Sequence, residues 1–158
     1  MPLYCQSEQI CSIIYGTMDN VVIDTNVLIS ALRSNQGASF KLLTLIGTER
    51  FDISLSVPLV LEYEDVLKRQ AGTAIALTEA DIGDVLDYLC SVAQRYKVYY
   101  LWRPQLKDSH DDMVLELAVS AECPFIITYN LTDFKGIEAF GIAAITPKVF
   151  LERIGALP

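Results

Sequence analysis

The chain has 158 residues, 12 Lys+Arg against 20 Asp+Glu, a net charge of −8 and 52% hydrophobic residues. That length suits one domain with a full core, and this apolar content excludes a disordered chain. No apolar run nears the roughly 20 residues that span a bilayer, and the acid excess argues against holding nucleic acid by bulk charge.

Residues 1–18 are predicted to be an N-terminal extension that the fold does not need, and residues 19–158 a single domain. The extension has no Lys or Arg, and Gln6 to Gln9 interrupt its apolar stretches, so it predicts no secretory signal. The expected location is the cytoplasm. Val21-Val22-Ile23 is a short β-branched run fit for a buried strand, and it ends at Asp24-Thr25-Asn26. Helices are predicted over 27–32 and 38–46, a strand over 51–55, and a helix opened by Pro58 and continued by Leu59, Leu61, Val66 and Leu67. Thr78 with Asp81 forms a capping-box variant before a helix whose apolar positions run from Ile82 to Val92. Residues 97–101 read as strand, and Asp108 or Ser109 as the cap of a helix through Ala121. Strands over 125–128 and 142–145 follow, and Thr146-Pro147 opens a last helix. Such alternation predicts an α/β protein with a parallel sheet flanked by helices and right-handed crossovers.

In open α/β sheets, ligands bind beyond the carboxyl ends of the strands. Asp24, Thr128 to Asn130, and the start of the helix with Asp111 and Asp112 all fall at that edge. There is no GxGxxG or Walker loop, so nucleotide binding of those kinds has no support. The cysteines Cys5, Cys11, Cys90 and Cys123 form no CxxC, and His110 is the sole histidine, so they read as free thiols and not as a zinc site.

Single acids are usually structural: at helix starts they answer the macrodipole, and in mid-helix they face water. Asp24 differs, because a carboxylate directly after three buried residues is costly without a partner, whether the Asn26 amide or a cation. Glu62 sits in the otherwise apolar run Val57 to Tyr63, so it is either paired or functional. Asp108, Asp112 and Glu116 are four apart and share a helix face, with a solvated face as the plain alternative. Helical phasing places Asp111 nearer the apolar stripe of Met113, Val114, Leu117, Ala118 and Ala121. His110 reads as a partner of Asp111 or Glu116. Ser30 and Ser56 have no base at a recognisable spacing, and Tyr99-Tyr100 with Trp102-Arg103 read as strand-edge core or subunit contact before an RNA-stacking cluster.

Val21 to Ser34, Ser56 to Leu67, Asp108 to Ala121 and Phe125 to Phe134 together resemble the PIN domain, in the right order and spacing. The likeness runs over about residues 20–155 and continues in Ile145-Thr146-Pro147 with Phe150-Leu151. It is nearest to the subgroup described as toxin components of toxin–antitoxin pairs. The resemblance implies a three-layer α/β/α sandwich with a mostly parallel sheet, and a metal-dependent endoribonuclease using Mg²⁺ or Mn²⁺. Its partners would be RNA and a small antitoxin protein, with a homodimer left open. By position, Asp24, Glu62 and Asp112 match the family's acids, and Thr25 and Asn26 the polar pair after the first. Where the family commonly has a fourth acid stands Asn130, after Thr128, with Asp133 three residues on as a substitute ligand. Asp111 and Glu116 are further candidates to bind a cation or hold a water. Phasing favours Asp111 and the resemblance Asp112, and Asp112 is taken as the ligand with Asp111 retained. A haloacid-dehalogenase-like phosphatase would need a second Asp at position 26, where Asn26 stands. A degenerate PIN fold serving protein interaction is the alternative, favoured by Asn130 and opposed by the three intact acids.

Overall fold

A computed structural model describes residues 18–98 and 105–157. The element order is β1 (Asn20–Ile23), α1 (Thr25–Arg33), α2 (Ala38–Leu45), β2 (Asp52–Leu55), α3 (Val57–Gln70), α4 (Glu79–Val92), β3 (Gln94–Arg95), α5 (Ser109–Ser120), β4 (Phe125–Ile127), β5 (Ala143–Ile145) and α6 (Pro147–Arg153). Two 3₁₀ turns, Leu131–Phe134 and Ile137–Phe140, lie between β4 and β5.

The strands form one sheet in the order β3-β2-β1-β4-β5, and every pairing is parallel. The fold is a three-layer α/β/α sandwich, as the alternation and the resemblance predicted. From β1 the chain adds β2 and β3 on one side, then crosses to add β4 and β5 on the other. The boundary between β1 and β4 is therefore the topological switch point, where the crevice beyond the strand ends opens.

Burial follows from the apolar runs. Val21 and Val22 on central β1 and Ile126 and Ile127 on β4 are fully buried, as expected of strands covered on both faces. Helix α5 packs against β1, β2 and β4, and also touches α3. Phe150 of α6 meets Phe51 edge to face, with ring centroids 5.1 Å apart, and lies 6.2 Å from Phe125. Such an aromatic cluster fixes the terminal helix by packing.

The caps follow the sequence. Ser56 accepts from Leu59 N–H at 3.4 Å with Pro58 in the first turn of α3, so Ser56 has the structural role expected of it. Thr78 and Asp81 form a full capping box on α4, and Thr146 caps α6. Of the two candidates at α5, Asp108 caps, accepting from His110 N–H at 2.8 Å.

Two expectations change. The strand predicted over 97–101 is displaced: β3 is Gln94–Arg95, directly after α4, while residues 96–98 form no strand and 99–101 lie outside the described residues. An edge strand needs only backbone partners, here β2, so exposed polar residues serve where apolar ones were sought. The solvated face on α5 does not exist either. Asp112 is 2% and Glu116 4% exposed, and every residue from 112 to 118 is buried. A helix packed on both the sheet and α3 has no wet side along its middle.

Cys90 and Cys123 are free thiols, and burial pushes Cys123 up to about 11. Among the described residues, no helix is long and apolar enough to cross a membrane. The extension to residue 17, Cys5 and Cys11 within it, and the Tyr99-Tyr100 and Trp102-Arg103 cluster lie outside the described residues.

Candidate active site

Asp24 closes β1 and starts α1, so the strand delivers its carboxylate to the switch point. Its backbone N–H donates to Ile127 O at 2.9 Å, which extends the β1–β4 ladder by one step and holds the residue against the end of β4. Although Asp24 occupies the N-cap of α1, its side chain makes no capping bond to the helix. Instead its Oδ2 accepts from Thr128 Oγ1 at 2.8 Å and from Asn26 Nδ2 at 3.1 Å. Thr128, fully buried, also accepts from Asn26 Nδ2 at 3.3 Å and from Asn130 N–H at 3.0 Å. Hydroxyl and amide thus fix one carboxylate oxygen by a closed network across β1 and β4.

Glu62 comes from α3, where Tyr63 beside it is buried and Leu61 is exposed. Its Oε1 accepts from Thr25 Oγ1 at 2.9 Å, and its Oε2 lies 3.3 Å from His110 Nδ1. The partner of His110 is therefore Glu62, where Asp111 or Glu116 had been expected. Tyr63 donates to Ile23 O, so the same helix turn that presents Glu62 is tied to the end of β1.

These side chains face an open cavity of about 530 Å³. Asp24, Thr25, Asn26, Glu62, Asp111 and Asn130 line it. Asp108 and His110 from the start of α5 border it, as do Asp65 and Arg69 from α3, which form an ion pair at 2.7 Å. A second groove, beside Leu55, Val57, Val60 and Leu61 and edged by Arg95, Tyr96 and Lys97, has a similar volume, about 490 Å³. Its walls are mainly apolar and it holds no carboxylate, so the acidic cavity is the better candidate for chemistry.

The two neighbouring acids of α5 part company. Asp111 lines the cavity. Asp112 does not: its Oδ1 accepts from the backbone N–H groups of Gln105 and Leu106, at 3.1 and 2.8 Å, and fastens the segment that leads into α5. Glu116 is buried along the same helix and is not part of the cavity wall. Asp133 stands on the first 3₁₀ turn, which is closed by its backbone N–H donating to Asn130 O at 3.1 Å. Its carboxylate is exposed but near enough to raise both Asp24 and Asp111.

Electrostatics express this crowding. Burial pushes the Asp24 carboxyl above its ordinary value, Glu62 and Asp133 push it further, and the bonds from Thr128 and the Thr25 backbone pull it back in part. Asp111 is pushed up to about 6, first by burial and then by Asp24, Asp108, Asp133 and Glu62. Among the described residues, no three His, Cys, Asp or Glu side chains are drawn together into a ready metal cluster. That spacing suits carboxylates that repel one another, each of Asp24 and Glu62 held by a hydroxyl. The donors are nonetheless all oxygens with surplus negative charge, the set that suits a hard divalent cation.

Residues 20–132 match the PIN domain family. This chain belongs to the PIN domain family. Its PIN fold also has a solved counterpart: a chain of the crystal structure of VapBC2 from Rickettsia felis bound to a DNA fragment from their promoter superposes with a TM-score of 0.55. The identity is 13%, over 79% of this chain and 96% of that one, so the likeness is one of fold. No curated protein sequence matches the chain.

Sequence reasoning passed over three groups at this site. Asp65 and Arg69 follow Glu62 at helical spacings of three and seven, a signal that was there to use. Tyr63 read as one more apolar residue of α3, because only its hydroxyl partner across the fold sets it apart. Tyr129 fell within the Thr128 to Asn130 stretch placed at the sheet edge, but its bond to Ser39, 90 residues away, left no trace in the sequence.

Proposed function

We propose that this PIN domain is an endoribonuclease that depends on Mg²⁺ or Mn²⁺ and hydrolyses RNA phosphodiester bonds. PIN domains are in general nucleases, which sets the reaction class. The observation that carries the finer reading is the convergence of Asp24, Glu62 and Asp111 on one open cavity at the switch point, with Asp111 raised to about 6 by burial first and then by its acidic neighbours. Asp111 takes the place in the ligand set that the resemblance gave to Asp112, since Asp112 is committed to the Gln105 and Leu106 backbone.

Asp24, Glu62 and Asp111 would hold the cation. A divalent ion there supplies neutralisation of phosphoryl charge and a bound water of lowered pKa. The chain's own residues set the geometry. Thr128 and Asn26 orient Asp24, Thr25 orients Glu62, and Asn130 can hydrogen-bond a water or a phosphate oxygen without adding charge. Asp133, at the rim, adds negative potential in place of a fourth acid. His110, against Glu62, is a donor at the cavity mouth.

The toxin role, the cytoplasmic location and a small antitoxin protein as partner belong to the same proposal. The likeness of fold to a chain of the VapBC2 complex is what supports the toxin role and the partner. Asn130 in place of an acid favours a second reading, a non-catalytic interaction module, and one assay separates the two. The purified chain should cleave single-stranded RNA in Mn²⁺ or Mg²⁺ and stop in EDTA. Asp24→Asn should lose cleavage while keeping its melting temperature, because the amide preserves shape and removes charge. Cleavage at the parent rate by Asp24→Asn would show that the site is misassigned.

A further inference from the structure

Tyr129 is exposed to 46%, yet neither end of it is loose. Its backbone N–H donates to Asn26 Oδ1 at 3.3 Å, and its hydroxyl shares a 2.6 Å hydrogen bond with Ser39 Oγ in the first turn of α2. Ser39 is 1% exposed, so the anchor lies within the protein. An exposed tyrosine ordinarily gives its hydroxyl to water and samples several rotamers. Here the polar tip is turned inward and the apolar surface outward.

The position of this ring is equally specific. Thr128 before it binds Asp24, and Asn130 after it lines the acidic cavity. Leu131, the next residue on, is exposed to 42%. An aromatic surface with an apolar neighbour therefore flanks the carboxylates. The net charge of −8 and the acids of the cavity repel a phosphate backbone except where a bound cation reverses the local sign, so contacts other than charge add to a strand's affinity there. Base stacking is such a contact: every base has a π-face, and a pre-positioned ring loses little entropy on contact.

We infer that Tyr129 is a stacking platform for an unpaired base of the RNA strand beside the carboxylate cavity. The inference rests on the nuclease reading above. A base within a duplex keeps its faces covered by its neighbours and cannot lie on the ring.

The test compares Tyr129→Ala and Tyr129→Phe with the parent on a short fluorescein-labelled single-stranded RNA of mixed sequence. Binding is followed by anisotropy in Ca²⁺, whose looser geometry supports turnover poorly, and KM and kcat are measured in Mn²⁺. Tyr129→Ala should raise Kd and KM by about tenfold, within the range known for base–aromatic stacking, with kcat changed by less than about threefold. Its thermal shift by Mn²⁺ should equal that of the parent. Tyr129→Phe should recover most of the affinity, since it keeps the ring and loses only the bond to Ser39. Parent-like Kd and KM in Tyr129→Ala would overturn the platform while the nuclease reading stands. Tyr129→Phe as damaging as Tyr129→Ala would overturn it too, because the hydroxyl tie and not the ring would then matter. A parent chain that neither binds nor cleaves RNA would overturn both.

Discussion

Asp111 and Asp112 are adjacent aspartates in the same helix turn, yet one faces the cavity and the other bonds two backbone N–H groups. Local sequence cannot separate them by composition. Phasing against the apolar stripe pointed to Asp111, whereas likeness by position pointed to Asp112. The deciding contact comes from just upstream: the segment around Gln105 and Leu106, seven and six residues before Asp112, satisfies its N–H groups on that carboxylate. Asp24 was legible because a carboxylate after three buried β-branched residues is costly, and Glu62 because its turn is otherwise apolar.

Asp111 is raised in the folded chain to about 6 from an ordinary 3.8, and Asp24 is raised as well. The folded form therefore binds these protons more tightly than the unfolded one. Across that window stability without metal falls as pH rises, because the unfolded state binds fewer protons than the native state. A cation competes for the same oxygens. Thermal-shift titrations should show Mn²⁺ stabilising the protein weakly near about pH 5 and more strongly near about pH 7.5, by mass action on the folded form. Equal shifts at the two pH values would show that the raised carboxyls are not the cation's ligands.

At the scale of elements, α3 couples the core to the site. Leu59, Tyr63 and Leu67 bury its inner face while Glu62, Asp65 and Arg69 reach the cavity. The Tyr63 hydroxyl, donated to Ile23 O, ties this helix to the strand that carries Asp24. Tyr63→Phe should lower stability by about 1 kcal/mol, the usual net worth of a hydrogen bond, measured by urea denaturation. Cleavage should fall by no more than a few fold, since packing still positions Glu62. Helix existence was readable from apolar spacing and from Pro58, Thr78 and Thr146-Pro147 at the starts, and Thr78 and Thr146 cap as their sequence suggests, whereas the cap at Ser56 was not read. Strand β3 was not, because an edge strand of two exposed polar residues leaves no hydrophobic trace. The 3₁₀ turns after β4 were missed for a related reason, their hydrogen bonds being backbone ones such as Asp133 to Asn130.

For the whole molecule, alternation of buried runs and amphipathic helices was enough to place a parallel sheet between helix layers, and the sheet's edge told where to look for chemistry. The strand order was not readable, since strands of three or four apolar residues carry no pairing code. That order matters, because β1 beside β4 is what brings Thr128, Asn26 and Asp24 into one network. Excess acid is a liability for an RNA-binding protein unless a cation reverses the local sign, so the charge balance and the proposed chemistry form one account.

The proposed working set is Asp24, Glu62 and Asp111. The most direct measurement compares Mn²⁺-dependent RNA cleavage by Asp111→Asn and Asp112→Asn, with melting temperatures recorded for both. Asp111→Asn should lose about a hundredfold or more in rate, as removal of a charge-stabilising catalytic group commonly does, while melting no lower than the parent. Asp112→Asn should cleave within a few fold of the parent and melt lower, because its two backbone bonds lose their charged acceptor. The reverse pattern, with cleavage lost in Asp112→Asn and kept in Asp111→Asn, would contradict the account.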